Sequence, residues 1–229
     1  MPAAPQSGRQ FGPGYALARL LVTPLYHVLW RVRVEGAEHL PRRGAAIIAA
    51  NHLSFFDSVV LVMATRRTLS FVGKAEYLES WKTRRLLPAL GMIPVDRTGG
   101  RRAILALKLA TKILRAGGMF AIYPEGTRSR DGKLHGGHTG AAYLSIATGA
   151  QIVPTGLVGT DQIQRPGTRV PRPFRAVVVR FGTAIDPATY AGGRRQRRRL
   201  LTDDVMTAIH SLSGQDYSTE ATTSDLALL

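Results

Sequence analysis

The chain alternates short apolar runs with longer segments in which apolar positions recur every three or four residues. Short apolar runs are typical of buried strands, and the wider spacing is typical of helices that pack on one face. The predicted strands lie at residues 45–50, 69–72, 92–95, 119–123, 152–158 and 176–181, and the predicted helices near residues 56–65, 76–90, 101–116 and 138–148. This order predicts an α/β fold with a largely parallel central sheet flanked by helices, which binds ligands at the carboxyl ends of its strands.

An N-terminal amphipathic helix is predicted over residues 15–30, "YALARLLVTPLYHVLW". One side gathers Leu17, Leu20, Leu21, Leu25, Val28 and Leu29, and the other carries Arg19, Thr23, Tyr26, His27 and Trp30. Such a helix suits a membrane interface, and it equally suits packing on the domain's own core. No apolar run reaches the length that a transmembrane helix needs.

These patterns divide the chain into three parts. We expect residues 1–33 to form an N-terminal amphipathic segment and residues 34–213 to form one globular domain. Residues 214–229 end in the polar stretch "GQDYSTEATTSDLALL", for which we predict a disordered tail.

The charge balance is strongly basic, with 31 Lys and Arg against 15 Asp and Glu and a net charge of +16. Such a field attracts nucleic acids, anionic membranes or phosphorylated small molecules. The arginine run "RRQRRR" lacks a recognisable nucleic-acid-binding module and interleaved aromatic residues, so a nucleic-acid binder is a minor alternative and no nucleic-acid partner is expected. The chain has no cysteine, which excludes disulfides, thiolate metal sites and a cysteine nucleophile.

Three polar loops follow predicted strands: "NHLSFFD", "DRTGGRR" and "PEGTRSRDGK". In the first, Asp57 could bond one nitrogen of His52 and leave the other free to accept a proton, although this spacing also arises by chance. In the third, Arg128 stands beside a glycine and a hydroxyl, a combination that suits an anion but is also found in solvated basic turns. No G-x-S-x-G stretch supports a serine hydrolase.

Four stretches in order, N-H-x-x-x-x-D, "GMIPVDR", "YPEGTRS" and "IVPTGL", resemble the motifs of the glycerolipid acyltransferase family, typified by 1-acylglycerol-3-phosphate acyltransferases. The resemblance covers residues 34–182 and implies an α/β enzyme of phospholipid biosynthesis. Such an enzyme moves a fatty acyl chain from a thioester, on coenzyme A or acyl carrier protein, to the hydroxyl of a lysophosphatidate-like acceptor, which gives phosphatidic acid. The resemblance implies no cofactor and no metal. It also implies residence at an anionic membrane surface on the cytoplasmic side, which favours the membrane interpretation of the N-terminal helix.

The resemblance also assigns roles to individual residues. It makes His52 the general base and Asp57 the residue that orients it. It assigns the acceptor's phosphate to Lys74, Arg97, Glu125, Gly126, Thr127 and Arg128. The stretch after "PEGTRS" departs from the family's lysine-rich pattern, so glycerol 3-phosphate and other lysophospholipids remain alternative acceptors.

Overall fold

The structure is a computed structural model that describes residues 13–95, 101–168 and 170–218. Its strands are β1 (Trp30–Glu35), β2 (Ala46–Ala50), β3 (Leu69–Lys74), β4 (Met92–Val95), β5 (Met119–Ile122), β6 (Gln151–Val158) and β7 (Arg175–Phe181). Its α-helices are α1 (Pro13–Leu29), α2 (Phe56–Ala64), α3 (Trp81–Ala89), α4 (Arg101–Arg115), α5 (Gly140–Thr148), α6 (Thr160–Ile163) and α7 (Arg194–Ser213). Each strand and helix predicted from the sequence is present within a few residues of its expected bounds.

The strands form one seven-stranded sheet in the order β1-β7-β6-β2-β5-β3-β4. The strands from β6 to β4 along this order run parallel to one another. The pair β1 and β7 is parallel within itself but antiparallel to β6. The predicted α/β fold with a largely parallel sheet is therefore confirmed, and the starts of β1 and β7 lie at the edge where the parallel strands end.

Both faces of the sheet are covered. Successive side chains of a strand point to opposite faces, so β2 contributes to two hydrophobic clusters, one on each face of the sheet. Ala46, Ile48 and Ala50 belong to the first cluster, and Ile47 and Ala49 belong to the second. The first cluster includes buried side chains of α1 and α2, and the second includes those of α4, α5 and α7. This double coverage explains why the central strands are nearly continuous apolar runs.

The helix α1 packs on the sheet through its aromatic side. Tyr26 is buried, and so is Trp30 just beyond the helix, whereas Leu17, Leu20 and Val28 are exposed. Tyr26 and Trp30, which were expected on the polar side, therefore face the core, and three of the apolar side chains face outward. None of the helices in the described ranges is long and apolar enough to cross a membrane.

The expected boundary at residue 33 is wrong, because Trp30–Glu35 forms strand β1 inside the sheet. Helix α7 was not predicted either. Its buried residues Leu201, Val205 and Ile209 pack on the sheet. At Gly156 of β6, an added Cβ would come within 2.4 Å of the backbone of Leu212, so glycine allows the end of α7 to approach the strand closely.

Disorder starting at Gly214 is also wrong for residues 214–218. Gly214 adopts a left-handed conformation that ends α7 and turns the chain back. The N–H of Leu134 then donates to the carbonyl of Asp216, and the N–H of Ser218 donates to the carbonyl of Leu134, each at 2.9 Å. Residues 219–229 lie outside the described residues.

Candidate active site

The candidate site begins where β2 ends, at the buried residue Asn51. Its side-chain oxygen accepts from the N–H of Leu157 at 2.7 Å, and its amide nitrogen donates to the carbonyl of Leu157 at 2.9 Å. The same amide donates to the side chain of Gln215 at 2.6 Å. Asn51 therefore ties β2 to its neighbour β6 and to the chain beyond α7, and it fixes the backbone that leads into His52.

His52 and Asp57 form the hydrogen-bonded pair that the sequence predicted. The Nδ1 of His52 lies 2.8 Å from Oδ2 of Asp57. Asp57 is fully buried in the first turn of α2, where its Oδ2 also accepts from the N–H groups of Leu53 and Ser54 at 2.7 and 2.8 Å. The positive end of the helix dipole favours a carboxylate at this position. The second ring nitrogen of His52, Nε2, has no hydrogen-bond partner among the described residues, so it is the one placed to exchange a proton.

Tyr123 fixes the plane of the His52 ring. The two rings are stacked, with centroids 3.9 Å apart and an angle of 10° between their planes. The Tyr123 hydroxyl lies 2.8 Å from the hydroxyl of Ser58. Burial, together with the charge of Asp57, raises the pKa of Tyr123 well above its ordinary value, so the ring stays neutral beside the imidazole.

Glu125 has a structural role that differs from the one expected. Its carboxylate is buried and accepts from the N–H of His52 and from the N–H of His135, each at 3.0 Å. Burial raises the pKa of Glu125, and these two backbone hydrogen bonds act in the opposite direction. These two contacts join the loop after β5 to the loop after β2. The expected contact of Glu125 with the acceptor's phosphate stays a prediction.

A second backbone hydrogen bond strengthens the same junction, from the N–H of Ser129 to the carbonyl of His52 at 2.7 Å. Between these two fixed points, Gly126 and Thr127 are exposed and Arg128 is half-buried. Gly126 has a φ of 70°, a conformation that favours glycine, and an added Cβ would crowd the ring of His138 at 3.1 Å. Across residues 13–95, 101–168 and 170–218, the guanidinium of Arg128 has no hydrogen-bond or ion-pair partner, which leaves its planar donors available to an anion.

Lys74 is the last residue of β3, which is the strand next to β5. Counting from the paired residues Phe71 and Ala121, Lys74 is level with Pro124, so it lies at the edge that carries the "PEGTR" loop. Arg97, the remaining predicted site residue, lies outside the described residues. Within the described ranges no group of three or more His, Cys, Asp or Glu side chains is arranged to hold a metal ion.

Sequence reasoning found the pair and the arginine loop, and it missed the groups that hold them in place. The positions of Asn51 and Gln215 are 164 apart in the chain, so their contact leaves no local signal. Tyr123 belongs to the "YPEGTRS" motif, but its spacing of 71 positions from His52 gives no local signal that the two rings stack.

The comparison with protein families decides which family the chain belongs to. The family model described as "Acyltransferase" matches residues 31–158, more than half of the chain. The chain belongs to the acyltransferase family. The match contains the His52–Asp57 pair, the "PEGTR" loop and strands β2 to β6 of this acyltransferase.

Named relatives agree with this assignment. The protein is 28% identical over 153 residues to the chloroplastic 1-acyl-sn-glycerol-3-phosphate acyltransferase of Arabidopsis thaliana, a match that covers 66% of this chain and 43% of that one. It is 29% identical over 131 residues to the 1-acyl-sn-glycerol-3-phosphate acyltransferase of Borreliella burgdorferi, covering 57% of this chain and 52% of that one. The chain thus spans about half the length of these two relatives.

A solved structure has the same fold. It is the crystal structure of the 1-acyl-sn-glycerophosphate acyltransferase PlsC from Thermotoga maritima, with a TM-score of 0.70 and 25% sequence identity. The likeness covers 86% of this chain and 79% of that chain. The similarity therefore extends beyond the family match to most of the acyltransferase described above.

Proposed function

We propose that the protein transfers a fatty acyl chain from an acyl thioester to the free hydroxyl of 1-acylglycerol 3-phosphate, which gives phosphatidic acid for phospholipid biosynthesis. The observation that carries the proposal is the His52 ring, bonded through Nδ1 to the buried carboxylate of Asp57 and free at Nε2, beside the arginine loop. The names of the Arabidopsis and Borreliella relatives support this acceptor.

In the proposed reaction, Nε2 of His52 accepts the proton of the acceptor hydroxyl as its oxygen attacks the thioester carbonyl. Asp57 keeps the ring oriented and stabilises the imidazolium that forms. When the tetrahedral intermediate collapses, the carbon–sulfur bond breaks, and the leaving thiolate takes the proton from His52. A thioester carbonyl is already electrophilic, so a positioned base and correct placement of the acceptor suffice without a covalent acyl-enzyme. Proton removal by a positioned base commonly accelerates a reaction about 10²- to 10⁴-fold.

The acceptor's phosphate binds, in this proposal, at the edge formed by the loops after β3, β4 and β5. Lys74, Arg97 and Arg128 supply positive charge, and the exposed backbone at Gly126 and Thr127 allows close approach of an anion. The acyl donor is coenzyme A or acyl carrier protein, and no cofactor takes part. The enzyme works as a peripheral protein on the cytoplasmic, anionic surface of a membrane, with the exposed leucine side of α1 as one attachment element.

The proposal is tested by a substrate panel with the purified protein. Three acceptors, 1-acylglycerol 3-phosphate, glycerol 3-phosphate and a lysophospholipid without a phosphate monoester, are each offered with an acyl-coenzyme A and with an acyl carrier protein donor. We expect the highest kcat/KM with 1-acylglycerol 3-phosphate. A higher kcat/KM with either other acceptor would contradict the proposed substrate, and no transfer to any of them would contradict the activity.

A further inference from the structure

The loop of residues 164–174, between α6 and β7, is described by the structure at residues 164–168 and 170–174, and it has a composition that the reaction does not explain. It lies at the carboxyl edge of the parallel strands, because β6 ends there and the antiparallel strand β7 begins there. Val170 and Phe174, two large apolar side chains in this loop, are 77% and 67% exposed. Large apolar side chains with this exposure, four positions apart in one loop, point to an interaction site.

The backbone conformation at Phe174 accounts for the exposure of its side chain. Phe174 has a φ of 58°, the only positive φ at a non-glycine position among the described residues. Its N–H donates to the carbonyl of Leu29, and Nε1 of Trp30 donates to the carbonyl of Arg172 at 2.9 Å. These bonds tie the loop to the junction of α1 and β1. A strained conformation of this kind persists only where the surroundings hold it, and here it directs an aromatic ring outward.

The charged residues of the loop itself are all basic, and Asp161 of α6 is the acid that lines the same concavity as Val170. Arg165, Arg172 and Arg175 are exposed, and the sequence of residues 164–175 contains four arginines and no acid. Exposed apolar side chains surrounded by arginines match an anionic lipid surface, where the rings enter the headgroup region and the cations meet the lipid phosphates.

The loop is connected to the candidate site by direct contacts. The ring of Trp30, which holds the loop, lies 5.1 Å from the ring of Phe56. Phe56 precedes Asp57 in the first turn of α2. The loop and the catalytic pair therefore share one edge of the sheet, and the exposed Val28 at the end of α1 is close to the junction that anchors the loop.

We propose that residues 164–174 form a second membrane-attachment element that inserts Val170 and Phe174 into an anionic lipid surface beside α1. The insertion holds the site edge against the membrane from which the acceptor is drawn. This purpose rests on the proposed function, but the attachment itself is measured without turnover.

The test is sedimentation of the full-length protein with vesicles of phosphatidylcholine alone and of phosphatidylcholine mixed with phosphatidylglycerol. The variants are Val170→Ser and Phe174→Gly, singly and together. Glycine suits the positive φ at position 174, so Phe174→Gly removes the ring without disturbing the loop, and its melting temperature should equal or exceed that of the wild type. The matched control is Ile104→Ser on α4, which replaces a side chain that is 57% exposed on the opposite face of the sheet.

We expect each loop variant to bind the anionic vesicles several-fold more weakly, and the double variant about 10- to 100-fold more weakly, as the loss of two inserted apolar side chains implies. Ile104→Ser should bind like the wild type. Wild-type binding by the double variant would overturn the proposal. So would an equal loss in the Ile104→Ser control, because it would show that any exposed apolar side chain has the same effect.

Two activity measurements separate this proposal from the proposed function. With an acceptor embedded in anionic vesicles, the double variant should have a lower kcat/KM than the wild type. With a short-chain acceptor in free solution, the two proteins should be equal, and a matching loss there would overturn the attachment role. If the wild type used no acceptor at all, the proposed function would fail, while the vesicle-binding comparison would still decide the role of the loop.

Discussion

His52 is held from three directions, by Asp57 five positions along the chain and by Tyr123 and Glu125 at the end of β5. Asp57 bonds its Nδ1, Tyr123 stacks on its face, and Glu125 holds its backbone N–H. Only Nε2 is left open. A base fixed in this way loses little entropy when the acceptor arrives, which is the advantage that a preorganised site has over a flexible histidine.

The carboxylate of Asp57 is expected to matter through orientation and charge. Asp57→Asn keeps the shape but removes the negative charge that stabilises the imidazolium, so kcat should fall about 10²- to 10⁴-fold while KM changes much less. Steady-state kinetics at saturating donor, with circular dichroism to verify the fold, measure this. A variant that raises KM and leaves kcat intact would show that Asp57 serves binding instead.

Arg128 is expected to act through its planar pair of donors. Arg128→Lys keeps the charge but loses the fork, so kcat/KM for a phosphate-bearing acceptor should fall about 10- to 150-fold, the scale of a lost charge-assisted hydrogen bond. The matched control is Arg130→Lys, at an exposed arginine in the same loop, which should stay near the wild-type value. An equal loss on an acceptor without a phosphate monoester would contradict the phosphate contact of Arg128.

At the scale of elements, two peripheral segments reach the site from a distance. The chain beyond α7 brings Gln215 to Asn51, and Nε2 of Gln215 also donates to the carbonyl of Gly132 at 2.7 Å. The aromatic side of α1 packs on the sheet near Phe56, and its leucine side remains exposed. The first segment contacts the site directly, and the second is the attachment element in the proposed function.

Gln215→Ala is expected to lower the free energy of unfolding by about 1–3 kcal/mol, because it leaves buried polar partners unsatisfied. Denaturant unfolding monitored by fluorescence measures this. Asp216→Ala, which changes an exposed side chain and keeps the backbone bond to Leu134, is the control. If both variants were as stable as the wild type, the contact with Asn51 would not support the site.

Leu17→Ser combined with Leu20→Ser is expected to weaken binding to anionic vesicles several-fold without lowering the melting temperature, because both side chains are exposed. Point changes are preferable to deletion of the helix, which would remove the buried Tyr26 from the core. Vesicle sedimentation and thermal unfolding of the same preparation measure the two effects. Undiminished binding would show that the exposed leucines do not attach the protein.

The accuracy of sequence reasoning differed between elements for physical reasons. Central strands such as β2 are buried on both faces, so their apolar runs are unmistakable. Strand β1 alternates arginine with apolar residues and follows an amphipathic helix, so Arg31 and Arg33 resembled the flank of that helix rather than the polar positions of an outer strand. Helix α7 begins with an arginine run that hides the spacing of Leu201, Val205 and Ile209 behind it.

At the candidate site, the sequence predicted only the contact between residues that are close together in the chain. His52 and Asp57 are five residues apart, so their pairing could be predicted. The backbone contacts of Glu125 could not be predicted, because nothing in the sequence shows which carboxylate will be buried against backbone N–H groups. Such contacts depend on how β2 and β5 align in the sheet.

At the scale of the whole molecule, chemistry and attachment share one edge. The catalytic pair, the loop of residues 164–174 and the end of α1 all lie where the parallel strands end. An enzyme with this arrangement can take a lipid acceptor from a membrane without lifting it far into water.

The central claim is that His52 is the base for acyl transfer to 1-acylglycerol 3-phosphate. Its most direct test is the formation of phosphatidic acid, followed by mass spectrometry, from this acceptor and an acyl thioester by the purified wild type and by a folded His52→Ala variant. The wild type should form phosphatidic acid, and the variant should be slower by at least about 10²-fold while it still binds the acceptor. Turnover by His52→Ala close to that of the wild type would contradict the account.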